Sequence, residues 1–363
     1  MVALEGEVRS GLRFGAAHFL HTSFELAHCR WVSHLAGSHC GRDLTLDLDF
    51  IPISVATLLP SSTVGLDLFQ VDADSGKFVL YRGADFPLAP NDLARLHQRG
   101  INKLFIAKES RDRYQKYLRQ IASLPADDGR VSIRARVSAM DEVVRDVLTQ
   151  ALSTDNDQQV VSMANQLGTI VTKTVTNSAF ATGDLLQVLH HDYTTFTHSA
   201  NVAFYATILA NKLGYSTNEI EQIATGGLLH DIGKLAIKES ILCKPGRLDD
   251  DEYREIKKHP LTGFKRLALR EELTFGQLMI VYQHHERLDG KGYPVGVDAD
   301  EIHPWGKLCA VVDVYEALTS LRPYRQPMKK DKALEILHRD SGKAFDPEML
   351  ECWTTIICND LTA

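Results

Sequence analysis

The spacing of apolar positions divides the chain into regions of different character. Over residues 1–46 apolar and polar side chains mix without a sustained period of two or 3.6, which predicts a loose, poorly defined N-terminal extension. From 47 to 120 the apolar runs are short. FIPISVATL (50–58) reads as a strand, and DLFQVDADSGKFVLYRG (67–83) as a hairpin turning at Asp74-Ser75-Gly76. NDLARLHQR (91–99) reads as a helix capped by Asn91 and stopped by Gly100, and INKLFIA (101–107) as a further strand. This predicts a small α+β accessory domain.

Residues 121–150 read as a polar linker, with Pro125 and Asp127-Asp128-Gly129, followed by a first helix. Apolar residues then recur at three- and four-residue steps in QQVVSMANQLGTIVTKTV, LLQVLHH and NVAFYATILANKLG, the last stopped by Gly214. Ser216 and Glu219 form a capping box that opens the helix running into IATGGLLHD. The expected fold is therefore mostly α: an all-helical domain over 151–363 behind a small α+β domain.

Composition narrows the function classes. At about 100–200 residues per domain, 363 residues make two or three domains. Hydrophobic residues are 44% and charged residues 24%, ordinary for a globular protein with a sizeable core. Forty basic against 47 acidic residues give a net charge of −7, which argues against a binder of nucleic-acid polymers. No run of 18 apolar residues predicts a membrane span, and MVALEGEVRSGLRFG lacks the basic start and apolar block of a signal peptide. Cys29, Cys40, Cys243, Cys309, Cys352 and Cys358 form no CxxC pair, so a reducing cytoplasm is expected.

The histidines change the picture. Five lie in the first 40 residues, where no standard ligand spacing occurs, and most others lie between 190 and 303. His198, His230, Asp231, His259, His284, His285 and Asp313 all fall on or at the ends of expected helices. Imidazole and carboxylate together suit iron, manganese, nickel or zinc. Seven such groups exceed what one ion with open positions needs, and match two divalent ions sharing a carboxylate, a site suited to phosphoryl chemistry. Gly233 is expected to let the chain turn sharply and return Lys234 to the site, where an ammonium neutralises a phosphate oxygen. Taken singly, each of these residues reads as structural, and Lys234 as a helix-end charge. Their joint order reverses that reading.

Six segments carry a resemblance to a known family: THSANVA (197–203), LLHDIGK (228–234), KPGRL (244–248), KKHPLTG (257–263), HHERLDGKGYP (284–294) and VVDVYEALTSLRPYR (311–325), with AFDPEML (344–350) behind them. In this order they resemble the HD-GYP family of cyclic di-GMP phosphodiesterases, a branch of the HD hydrolases. The resemblance implies one metal held by His198, His230, Asp231 and Asp313, and a second held by His259, His284 and His285 with Asp231 bridging. It implies Asp231 and Lys234 as catalytic residues, and Lys234, Arg322 and Arg325 as phosphate contacts, although the two arginines equally fit surface or ion-paired roles. Thr194 stands where some members carry a glutamate for a third metal, so two ions, iron or manganese, are expected. Glu316 stands where aspartate is common, with little loss of chemistry expected.

The implied reaction is attack of water on one phosphorus with expulsion of a ribose 3′ oxygen, giving pGpG and then GMP. The alternatives are a catalytically weak cyclic di-GMP receptor and an HD phosphohydrolase of another cyclic dinucleotide. A diguanylate cyclase, other signalling proteins and a second copy of the chain are the expected partners. His191-Asp192 lacks the Gly-Lys continuation and reads as a structural pair. Glu286 and Asp289 read as residues supporting the ligands or the turn, His97 as solvated, and His303 and His338 as non-ligands.

Overall fold

A computed structural model describes residues 49–59, 63–72, 75–124, 131–152, 154, 156–176, 182–189, 197–242, 244, 246–320 and 327–361. Four strands, β1 (Phe50–Ser54), β2 (Leu68–Val71), β3 (Phe78–Arg82) and β4 (Lys103–Ala107), form one antiparallel sheet in the order β1-β4-β2-β3. The first strand is shorter than FIPISVATL, because Val55–Thr57 turns into a 3-10 helix whose opening Ser54 side chain accepts the Ala56 N–H. At the β2–β3 hairpin, Gly76 adopts φ +67° and donates to Asp72 O. Helix α1 (Pro90–Gln98) crosses between β3 and β4.

Helix α1 starts earlier than Asn91. Its cap is Ala89, whose N–H is taken by the Asp92 carboxylate at 2.8 Å, and Pro90 occupies the first turn, where its missing N–H costs nothing. At the other end Gly100 has φ +70° and donates to His97 O, as the stop signal required. His97 is exposed. Helix α2 (Arg111–Ser123) completes the small unit, whose core gathers Ile53, Leu68, Leu104, Ile106 and Leu118.

Helix α3 (Ile133–Leu152) belongs to both halves. Ala135, Ala139 and Val143 face the core of the small unit, while Val137, Val144, Leu148 and Leu152 face the helical core. The helix is thus buried along two stripes and contributes to both cores. The expected linker sequence at 125–130 lies outside the described residues.

Helices α4 (Asp157–Thr176), α5 (Thr182–Leu189), α6 (Thr197–Lys212) and α7 (Thr217–Leu229) build the first part of the helical domain. The predicted capping box is present, with Ser216 Oγ accepting from Glu219 N and Glu219 accepting from Ser216 N. The chain continues through α8 (Glu239–Leu242), α9 (Asp250–Ile256), α10 (His259–Leu267) and α11 (Phe275–Gln283). It ends with α12 (Pro304–Thr319), α13 (Lys330–Arg339) and α14 (Pro347–Leu361). Nearly every residue of α6 and α12 is buried, so polar residues on these helices must find partners inside the core. Among the described residues no helix is long and apolar enough to cross a membrane.

Candidate metal centre

Helix ends and two buried helices bring the seven predicted ligands together. His198 lies in the first turn of α6, His230 follows the last residue of α7, and Asp231 opens a short 3-10 helix, Ile232–Ala236. His259 is the first residue of α10, His284 follows α11 and His285 comes next, and Asp313 sits within α12. They form two groups, His198–His230–Asp313 and Asp231–His259–His284–His285, each with its ligand atoms within 4.8 Å of one another and each fully buried.

Asp231 joins the groups through different oxygens. Its Oδ2 lies 3.3 Å from His230 Nε2 and 3.5 Å from His198 Nε2. Its Oδ1 lies 3.2 Å from His259 Nε2 and 3.8 Å from His284 Nε2. Three rings are aimed from behind by main-chain carbonyls: His230 Nδ1 on Gly227 O at 2.7 Å, His259 Nδ1 on Ile256 O at 2.8 Å, and His284 Nδ1 on Ile280 O at 3.0 Å. Each therefore carries its proton on Nδ1 and turns the Nε2 lone pair inward.

The donor set fits metal ions. His230 Nε2 and both carboxylate oxygens of Asp313 are buried and form no hydrogen bond, although His198 Nε2 comes within 3.0 Å of Asp313 Oδ1. Polar atoms this close without directed hydrogen bonds point at a common centre. Burying each without a partner costs about 1–3 kcal/mol, which a cation at that centre offsets. Burial, followed by the neighbouring His230 or His284 rings, holds His284 and His285 well below the ordinary histidine range, leaving them neutral, as ligands must be. Burial also pushes His198 down, but Glu316 and then Asp313 outweigh it and raise this ring to about 9. Carboxylates on both sides of His198 thus call for positive charge there.

Lys234 is buried and donates from Nζ to Asp231 Oδ2 at 2.9 Å. The sharp turn assigned to Gly233 is instead the 3-10 turn itself. Gly233 serves close packing: a Cβ there would lie 2.0 Å from His259 O and 2.6 Å from Gly263 N.

The HHERLDGKGYP segment folds back beside the histidines. The Glu286 carboxylate accepts Val295 N–H at 2.9 Å and Gly296 N–H at 3.1 Å, and Arg287 pairs with Asp289. The Tyr293 ring stacks on His285 with centroids 4.6 Å apart, ahead of a cis Tyr293–Pro294 bond. His303 caps α12 through the Trp305 N–H and His338 bonds Thr354, so neither joins the cluster. Thr194, Arg322, Arg325 and the His191-Asp192 pair lie outside the described residues.

Glu316, read from the sequence as a conservative exchange for aspartate, has a partner that this reading did not name. Glu316 is fully buried and takes His198 Nδ1 at 2.5 Å. Its signal in the sequence is the Asp313-x-x-Glu316 spacing, which puts both carboxylates on one face of α12.

Residues 185–349 match the HD domain family. Over 164 residues the chain is 37% identical to the Cyclic di-GMP phosphodiesterase response regulator RpfG of Xanthomonas campestris, covering 45% of this chain and 43% of that one. It is 39% identical over 163 residues to a 3′3′-cGAMP-specific phosphodiesterase of Vibrio cholerae, covering 42% of this chain and 33% of that one. The matched stretch thus spans less than half of either relative. A protein of Bdellovibrio bacteriovorus described as an HDG"Y"P protein shares the fold, with a TM-score of 0.63 and 21% identity over 85% of this chain and all of that one. Residues 185–349, the stretch that matches the HD domain family, thus carry all seven converging residues.

Proposed function

We propose that this protein is a metal-dependent phosphodiesterase that opens cyclic di-GMP to the linear dinucleotide pGpG, with GMP as a further product. The observation that carries this reading is Asp231, whose two oxygens face two separate ligand groups with the Lys234 ammonium alongside. That arrangement suits two ions and a phosphoryl oxygen. His198, His230 and Asp313 would hold one ion, and His259, His284 and His285 the other, with Asp231 shared. Bound there, two divalent ions, iron or manganese, would acidify a water and offer positive charge to the phosphoryl oxygens.

The chain's own residues supply orientation and charge. Carbonyl-anchored imidazoles keep their lone pairs inward, and burial excludes competing bulk water. Lys234 donates to a phosphate oxygen as negative charge builds up on it. Arg322 and Arg325 are proposed as phosphate contacts because the planar guanidinium fork binds phosphate oxygens in pairs. The names of the relatives divide between cyclic di-GMP and 3′3′-cGAMP at similar identity, so the mixed dinucleotide is the second substrate to examine. A cytoplasmic setting, with a diguanylate cyclase or other signalling protein and a second copy of the chain as partners, belongs to the same proposal.

The test is turnover of both cyclic dinucleotides by protein loaded anaerobically with Fe²⁺ or Mn²⁺, with products separated chromatographically. The expected product is pGpG from cyclic di-GMP. Binding of cyclic di-GMP by fully loaded protein without turnover would overturn the enzyme in favour of the receptor, and exclusive turnover of cGAMP would reassign the substrate.

A further inference from the structure

We propose that Glu316 is a positioning residue that fixes how His198 presents its ligand nitrogen, and thereby controls one of the two ion positions selectively. The inference rests on the two-ion reading above but needs no substrate.

Glu316 is not itself a candidate ligand, since both its oxygens are occupied. Oε2 takes His198 Nδ1 at 2.5 Å, and Oε1 takes Asn201 Nδ2 at 3.0 Å and Ser320 Oγ at 2.5 Å. A buried carboxylate surrounded by three donors is satisfied where it stands, and moving it toward an ion would strip all three. An ionised carboxylate only accepts, so His198 must carry its proton on Nδ1 and offer Nε2 to the centre.

His198 differs here from the three rings held by Gly227, Ile256 and Ile280 carbonyls. A charged acceptor makes a hydrogen bond roughly twice as strong as a neutral one and raises the basicity of the ligand beyond it. The two positions therefore differ in charge. The His198–His230–Asp313 position has Asp313, a share of Asp231, and Glu316 behind it. The other has three histidines and a share of Asp231.

Helix register builds the device. On α6, His198 and Asn201 are three residues apart, and on α12 Asp313 and Glu316 lie one turn apart, with Ser320 capping the helix a turn further on. One helix thus supplies both a ligand and the carboxylate that aims its neighbour's ligand. Sliding α12 against α6 would disturb both together.

The experiment is calorimetric titration of metal-free protein with Mn²⁺, comparing wild type, Glu316→Gln, Glu316→Asp, His198→Ala and the His198→Ala/Glu316→Gln double variant. Glu316→Gln should weaken one binding step by about 10–100-fold, the usual cost of losing such a supporting partner, and leave the other within about twofold. Glu316→Asp, which keeps the charge, should weaken the same step by less, and it carries the test alone if the Gln variant does not fold. Adding Glu316→Gln to His198→Ala should cost nothing further, because the residue acts through that ring. Unchanged binding, equal weakening of both steps, or an additive loss in the double variant overturns the inference. A chain that passes this test yet hydrolyses no cyclic dinucleotide would refute the proposed activity and leave Glu316's role standing.

Discussion

Lys234 Nζ and Asp231 Oδ2 lie 2.9 Å apart, and the short 3-10 helix Ile232–Ala236 is what brings them together. In a 3-10 helix side chains at i and i+3 eclipse one another, so a lysine three residues after the shared aspartate is held beside it. Both side chains are buried, and an ammonium kept there has little water to compete with a phosphate oxygen.

Lys234→Ala should therefore lower kcat and kcat/KM alike, by about 10²–10³-fold, the usual cost of removing one such donor to developing negative charge. Metal content should stay at the wild-type level, because an ammonium is not a ligand. Steady-state kinetics on the metal-loaded variant decide the matter. A rise in KM with kcat preserved would mean that Lys234 only anchors the ground state, and unaltered kinetics would leave it a buried structural partner of Asp231.

Asp231→Asn preserves shape and removes the charge that two cations would share. Because its oxygens face different ligand groups, at 3.3 Å from His230 Nε2 and 3.2 Å from His259 Nε2, both ions should bind more weakly. Activity should fall by more than the roughly 10²–10³-fold expected for a single donor. The helical circular dichroism of the metal-free protein should persist. Elemental analysis showing two tightly bound ions in this variant would contradict the shared role of Asp231.

The seven converging residues were legible in the sequence because their chemistry is carried by short local segments, most of them ending or opening a helix, with Asp313 inside α12. Helix caps were legible only where a side chain announced them. Ser216 and Glu219 did so, whereas Ala89 has no capping oxygen and is capped only through Asp92 reaching back. The partnership of Glu316 with His198 spans 118 positions, and no local pattern encodes a contact of that range. Gly233 was misread for a related reason. Its sequence neighbours imply a turn, while the constraint comes from α10, a separate helix that packs against it.

That packing makes Gly233→Ala a sharp test of how backbone contact positions the site. The added methyl group would meet the main chain at His259 O and Gly263 N, and main chain cannot rotate away as a flexible side chain can. Helix α10 must shift, carrying His259 with it. The expected cost is about 1–3 kcal/mol or more in stability, as for overpacked cores, together with weaker binding of the ion that His259 would hold under the proposed function. Thermal unfolding with metal analysis checks both, and a variant with unchanged stability and full metal content would show that the approach is looser than the structure indicates.

A last prediction concerns the small domain and acid. Asp92 is buried, which alone would raise its pKa, but the Ala89 N–H and the Arg95 and Arg82 guanidinium groups outweigh burial and hold its carboxyl below the ordinary value of 3.8. Arg82 reaches it from β3 at 2.5 Å, so the pair ties the sheet to α1. A carboxyl whose folded pKa is depressed binds its proton more readily in the unfolded chain. The stability it contributes is therefore complete above the unfolded value and is lost as pH falls through the lower folded one. Asp92→Asn should be less stable than wild type at neutral pH, because the two guanidinium groups lose their charged acceptor. The difference should shrink once pH drops below about 4, where the unfolded carboxyl takes up its proton. Denaturant midpoints of both proteins across this range provide the measurement. A gap that stays constant or widens toward acid would mean that Asp92 stabilises the domain by shape and not by charge.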